Sequence, residues 1–154
     1  MSLPNGKVFF LPPSAAQGLA NYPHARISSN GAATSVLYVS GTSSRRGNGT
    51  YAGYEEGEDG VPVFDVAKQT AAVLENIGTI INGATAGAAG LENIIDATIF
   101  LTDMKDYKEM NEVWNKMFPN RETAPARTCI QVVALPSPKL CIEIKCTALI
   151  PATN

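Results

Sequence analysis

Apolar residues recur along this chain at two periods, and the switches between them mark its elements. Lys7-Val8-Phe9-Phe10 reads as a short strand, and Ser35-Val36-Leu37-Tyr38-Val39-Ser40 as a stronger one that stops at Gly41. In the second, both parities are apolar, which predicts a strand covered on two faces. From about residue 63 to 84 the spacing becomes three and four. Phe64, Ala67, Ala71, Leu74, Ile77, Ile81 and Ala84 define one buried helical face, with Lys68, Glu75 and Asn82 outside it. Pro62 suits the first turn of this helix, and Gly87 and Gly90 its end. Residues 94–101 return to strand character. Thr102-Asp103 then has the composition of an N-cap, and Tyr107, Met110, Val113, Trp114 and Met117 trace a shorter helix closed by Pro119-Asn120.

Between these elements, residues 12–23 read as a surface loop. Residues 42–60 read as a polar, glycine-rich loop or edge hairpin with a tight turn near Arg45-Arg46-Gly47-Asn48-Gly49. The last third, from Ala126-Arg127-Thr128-Cys129 to Cys141-Ile142-Glu143-Ile144-Lys145, reads as a β-hairpin joined at Pro136-Ser137-Pro138. The resulting order, β-β-α-β-α-β-β, is an α+β sheet whose two helices cover one face. Ile130 and Val132 point away from Val133 and Leu135, so the other face also calls for apolar cover, which subunits of a closed oligomer would supply.

Composition narrows the partners. The 154 residues fit a single domain, with residues 1–20 contributing an N-terminal strand and loop; 45% are hydrophobic and only 17% charged, a sparse coat that hints at self-association. A net charge of −2 and the lack of a Lys/Arg run argue against nucleic acid as a partner. No apolar run is long enough to span a membrane and no signal-peptide h-region is present, so a cytoplasmic protein is expected. Cys129, Cys141 and Cys146 match neither a disulfide framework nor a zinc pattern and read as buried free thiols. His24 is the one histidine, which excludes a His-rich metal site and leaves a Ser-His-Asp triad a single candidate base. Gly-Thr-Ser-Ser at 41–44 lacks the spacing and lysine of a phosphate loop, so no nucleotide cofactor is expected.

What remains is Arg127, Glu143, Tyr22, Ser40, Thr42, Ser43, Asn111 and the Arg45-Arg46 pair. A guanidinium at the head of an apolar strand cannot shed its charge and needs a carboxylate, phosphate or water. It is a natural bidentate receptor for a small carboxylate, and a glutamate in a partly apolar setting can hold a water; together they suit hydrolysis of an acidic metabolite. An internal Arg127–Glu143 ion pair is the equal alternative. A hairpin symmetric about its turn sets Glu143 opposite Val132, roughly 17 Å from Arg127 at ~3.3 Å per residue and on the other face. A bulge or a neighbouring subunit would then be needed to bring them together.

Pro125-Ala126-Arg127-Thr128-Cys129, the Val-Val-Ala-Leu-Pro that follows and Ile142-Glu143-Ile144 resemble the signature of the RidA/YjgF/UK114 family of enamine and imine deaminases. Leu37 to Gly41, Gln69 to Ile77 and Thr98 to Met104 resemble that family too, in its order, so the likeness spans Tyr22 to Ile150. The resemblance implies a chorismate-mutase-like fold, a homotrimer that could pair into a hexamer, sites in the clefts between subunits, no metal or cofactor, and a small enamine or imine carboxylate as substrate. It places the carboxylate-binding arginine at Arg127, the water-associated glutamate at Glu143, and other cleft positions at Tyr22, Ser40, Gly41, Asn111 and Cys129. The chain departs from the family at Tyr22-Pro23-His24-Ala25 and at Thr42-Ser43-Ser44-Arg45-Arg46. Both departures are similar to the 2-aminomuconate deaminase branch, which adds His24, Thr42, Arg45 and Arg46 to the substrate-binding set. The implied reaction converts 2-aminomuconate to 4-oxalocrotonate and ammonia, with Arg45 or Arg46 on the second carboxylate, unless both are simply solvated. A general 2-iminobutanoate/2-iminopropanoate deaminase, a non-catalytic carboxylate-binding trimer and a ribonuclease remain as alternatives, the acidic net charge arguing against the last.

Overall fold

Eight strands and two α-helices make up the computed structural model, which describes residues 7–17, 24–29, 33–120 and 122–152. In chain order they are β1 (Lys7–Phe9), β2 (Ala25–Ser29), β3 (Thr34–Thr42), β4 (Tyr54–Glu56), β5 (Pro62–Phe64), α1 (Val66–Ala84), β6 (Ile94–Leu101), α2 (Tyr107–Met117), β7 (Ala126–Gln131) and β8 (Ile142–Pro151). Six of the strands form one sheet in the order β1-β2-β3-β8-β6-β7, and β4 and β5 form a separate ribbon. This is the expected α+β architecture with two helices. β2 and the β4–β5 ribbon add to the predicted order.

The predicted terminal hairpin does not form. β7 pairs in parallel with β6, whereas β8 lies antiparallel between β3 and β6. A parallel pair needs a crossover, and α2 provides it. β7 ends at Gln131, and residues 132–141 form an irregular connection in which Val133 is fully exposed. Glu143 therefore pairs with Phe100 rather than standing opposite Val132.

α1 begins at Val66, where the Asp65 carboxylate accepts a hydrogen bond from the Lys68 backbone N–H at 2.8 Å; Pro62 lies earlier, in β5. Its buried face is Val66, Gln69, Thr70, Val73, Leu74, Ile77, Ile80 and Ile81. That stripe is rotated from the predicted one: Ala67 and Ala71 are only partly buried and Phe64 is exposed in β5. The rotation follows from Gln69, whose fully buried amide donates to the carbonyls of Gly53 (3.2 Å) and Lys139 (2.9 Å) and accepts from the Cys141 N–H (3.0 Å). One polar side chain thus satisfies three backbone groups of two loops and fixes both against the helix.

Ile142, Ile144, Cys146, Ala148 and Ile150 of β8 and Ala97, Ile99 and Leu101 of β6 meet the helices in a single core. Alternation sends Glu143, Lys145, Thr147 and Leu149 to the opposite face. On that face Tyr38 is 50% exposed, Ile130 41% and Leu149 37%. β3 is thus covered on one face by its own chain, through Leu37 and Val39, and not on two as its sequence suggests. Cys141 and Cys146 are buried free thiols as expected, while Cys129 is half-buried. Among the described residues, no helix is long and apolar enough to cross a membrane.

Candidate functional site

β7 presents Arg127 and Cys129 on the helix-covered face, because Arg127 pairs with Ala97 and Cys129 with Ile99, both of which point into the core. There the guanidinium meets α2. Its carbon lies 5.0 Å from the Trp114 ring centroid and 5.8 Å from that of Tyr107. One terminal nitrogen donates to the Tyr107 hydroxyl at 3.4 Å, and the other approaches Met110 Sδ at 3.9 Å. No carboxylate reaches it; among the described residues the ion pairs are Lys68–Asp65 and Lys105–Asp103. The internal Arg127–Glu143 pair is therefore absent. Asn111 stands one turn beyond Tyr107 on the same side of α2. Burial raises the Cys129 thiol above its ordinary range, with Arg127 opposing the shift, so Cys129 rests protonated beside the guanidinium.

Glu143 belongs to a second cluster. It projects from the open face of β8 and sits against Gly41, where a β-carbon would lie 2.2 Å from Glu143 Oε1. Only glycine lets the carboxylate rest on the main chain there. The approach is possible because β3 bulges between Val39 and Thr42, which carries Gly41 over β8. The Glu143 carboxylate has no hydrogen-bond or ion-pair partner among the described residues, and desolvation raises its pKa. The raised value means that the folded state holds its proton more tightly than the unfolded chain does. Stability linked to this group is thus fully present at low pH and is lost as pH rises through the folded value. Glu143→Gln is expected to stabilise the protein at neutral pH, with the gain fading as pH falls below the raised folded value and gone below the ordinary carboxylate value; thermal melts of both proteins across pH would show it.

Next to Gly41 is a cavity of about 270 Å³, walled by Thr42, Ser43, Arg45 and Arg46 and, from α1, by Asn76. Residues 15–17 form another side of it. His24 faces this cavity with both ring nitrogens occupied: Nδ1 accepts from the Leu11 N–H at 3.3 Å and Nε2 donates to the Ala16 carbonyl at 2.8 Å. Those two bonds fix one neutral tautomer and leave no donor or acceptor for a ligand. Arg45 likewise donates to the Gln17 carbonyl, whereas the exposed Arg46 guanidinium has no partner among the described residues. His24 and Arg45 thus fasten the 11–17 segment, and the Arg45 guanidinium keeps further N–H donors beyond the one on Gln17. Thr42 donates to the Ser40 carbonyl at 2.9 Å, closing the turn around Gly41. Tyr22 lies outside the described residues.

Two clusters thus emerge within one chain: Arg127, Asn111 and Cys129 on the helix side, and Glu143, Ser40, Gly41 and Thr42 on and beside the open face. Glu143 and Arg127 flank β6 three residues out of register, so their backbones lie about 14 Å apart at standard strand spacing and on opposite faces. Sequence reasoning missed Tyr107 and Trp114 as neighbours of Arg127, having assigned them to packing. It also missed Asn76, which donates to the carbonyls of Ser43 (2.8 Å) and Arg45 (3.3 Å) and braces the cavity wall. A polar residue at the border of an apolar helical stripe was the available signal.

The fold is a two-helix α+β sheet, and comparison with known proteins identifies its family. Residues 15–150 match the family model described as Endoribonuclease L-PSP. The chain belongs to this family, that of the RidA and RutC proteins. It is 35% identical over 142 residues, 92% of this chain and 97% of the relative, to 3-aminoacrylate deaminase RutC of Acinetobacter baylyi. It is 41% identical over 83 residues, 54% of this chain, to the chloroplastic Reactive Intermediate Deaminase A of Arabidopsis thaliana, of which the match covers 41%. Against several curated relatives the chain spans between 41 and 63% of their length. The crystal structure of RidA from Psychrobacter sp. PAMC 21119 superposes with a TM-score of 0.71 at 25% identity, covering 94% of this chain and all of that one.

Proposed function

We propose that this protein is a hydrolytic deaminase of enamine or imine carboxylates. The observation that carries the reading is the Arg127 guanidinium, half-buried beside two aromatic rings and, among the described residues, without a carboxylate partner. A substrate carboxylate supplies the missing charge in bidentate form. The deaminase names of the relatives from A. baylyi and A. thaliana support the same chemistry.

The reaction requires few groups. With its carboxylate on Arg127, the enamine moves a proton from nitrogen to the β-carbon and becomes an imine. Water held beside Glu143 adds to the imine carbon, giving a carbinolamine. The hydroxyl proton passes to nitrogen, the C–N bond breaks, and ammonia and a 2-oxo acid leave. Positioning of the water and the carboxylate supplies most of the rate. Because the two clusters lie on opposite faces, the working site joins Arg127, Asn111 and Cys129 of one subunit to Glu143, Ser40 and Gly41 of another. The half-exposed Tyr38, Ile130 and Leu149 favour such an assembly, and a homotrimer closes it.

For substrate we propose 2-aminomuconate, with the exposed Arg46 on the second carboxylate and Arg45, which donates to the Gln17 carbonyl, shaping the cavity wall. Ammonia release from 2-aminomuconate and from 2-aminoacrylate by washed, metal-free protein tests both levels. Arg46→Ala is expected to raise KM for 2-aminomuconate roughly five- to tenfold and to leave 2-aminoacrylate unaffected. An unchanged preference would reduce the reading to a general enamine/imine deaminase, and no ammonia from either substrate would leave a carboxylate-binding protein.

A further inference from the structure

The groups around Arg127 do more than bury it. Tyr107, Met110 and Trp114 stand at i, i+3 and i+7 of α2, which places them in one stripe. Met110 is fully buried and Trp114 is 5% exposed, with the Trp114 ring further held against Phe118 at 4.4 Å between centroids. These two are therefore fixed by the core, while Tyr107 stands at the rim, 40% exposed. The guanidinium lies near both rings, Met110 sulfur takes one terminal nitrogen, and the Tyr107 hydroxyl accepts from the other. A guanidinium has five N–H donors, so the two contacts leave three for a ligand.

We propose that Tyr107, Met110 and Trp114 form a positioning cradle that fixes the rotation of the Arg127 fork, so that the site selects planar carboxylates over tetrahedral oxyanions. This rests on the reading of Arg127 as the carboxylate receptor. The Trp114 ring centre lies 5.0 Å from the guanidinium carbon, and the Tyr107 oxygen and Met110 sulfur contacts hold the rotation of the fork. A fork set in advance loses less side-chain entropy when it binds. Two coplanar oxygens match a fixed fork, whereas the binding of a sulfonate, whose three oxygens share no plane with its carbon, depends little on how the fork is turned. Tyr107 is thus a specificity-determining residue that acts through Arg127.

The test compares propanoate with ethanesulfonate, which share a chain and differ in head group, as competitors of substrate turnover. Wild-type protein is expected to favour propanoate. Tyr107→Phe keeps the ring and removes the acceptor; it is expected to raise the propanoate Ki roughly fivefold and to change the ethanesulfonate Ki by less than about twofold, with Tm unchanged. Met110→Leu removes the sulfur contact from the buried side, should narrow the same preference, and serves if Tyr107→Phe lowers Tm. If both variants keep the wild-type preference while Arg127→Lys loses propanoate affinity, the cradle proposal is overturned and the receptor reading survives. If both probes inhibit Arg127→Lys as they inhibit wild type, the receptor reading fails and takes the cradle with it.

Discussion

Arg127→Ala is expected to lower kcat/KM for ammonia release by roughly two to three orders of magnitude, the range for deleting one member of a hydrogen-bonded, partly desolvated charge pair. The loss should appear mainly in KM for small substrates held by one carboxylate, and in both constants if the clamp also aligns the imine carbon with the water. Arg127→Lys should recover little, since an ammonium is a point charge with no fork. Stability should barely suffer. Among the described residues the guanidinium has aromatic neighbours and no counter-ion, so its removal deletes aromatic contacts but also a charge held part-way out of water. A large fall in Tm would mean that Arg127 is a structural residue, and a wild-type rate would remove it from the site.

Gly41→Ala is the second strong prediction, and it acts through Glu143. The new methyl would lie 2.2 Å from Oε1 and 3.1 Å from the carboxyl carbon. Because those atoms end a flexible side chain, the carboxylate swings away and the fold survives. Misplacement of a positioned group by about 1 Å can cost as much as 100-fold, so kcat should fall by about that factor while Tm stays within a few degrees. Steady-state kinetics beside a thermal melt separates the two effects. If Gly41→Ala turns over at the wild-type rate, Glu143 does not hold the reacting water from this position.

These two residues also show how far the sequence could be read. Arg127 was visible as a permanent charge on an apolar strand, and Glu143 was read as lying on the opposite face from it, as it does, although the hairpin behind that reading does not form. The partner of β7 was not visible. Two apolar runs separated by Pro136-Ser137-Pro138 look like neighbours, yet β7 pairs in parallel with β6 across α2, and periodicity carries no record of non-local pairing. β2 was missed because it is five residues long, although Ala25 and Ile27 alternate into the core. The commitments of His24 and Arg45 were hidden for a different reason. Their partners are backbone carbonyls at Ala16 and Gln17, and a main-chain acceptor leaves no trace in residue identity. Gln69 is the same case, one side chain satisfying three backbone groups from loops far away in the chain.

The locked imidazole has a practical consequence. His24 is the one histidine in 154 residues, so a nitrogen-15 spectrum of its ring contains one pair of signals and needs no assignment. With Nε2 donating and Nδ1 accepting, that pair should read as one pyrrole-type and one pyridine-type nitrogen, well separated in frequency. Release of residues 11–17 would let the tautomers interchange and draw the two frequencies together. The protein thus carries a built-in spectroscopic gauge beside its cavity, able to show whether the segment stays seated when a ligand enters.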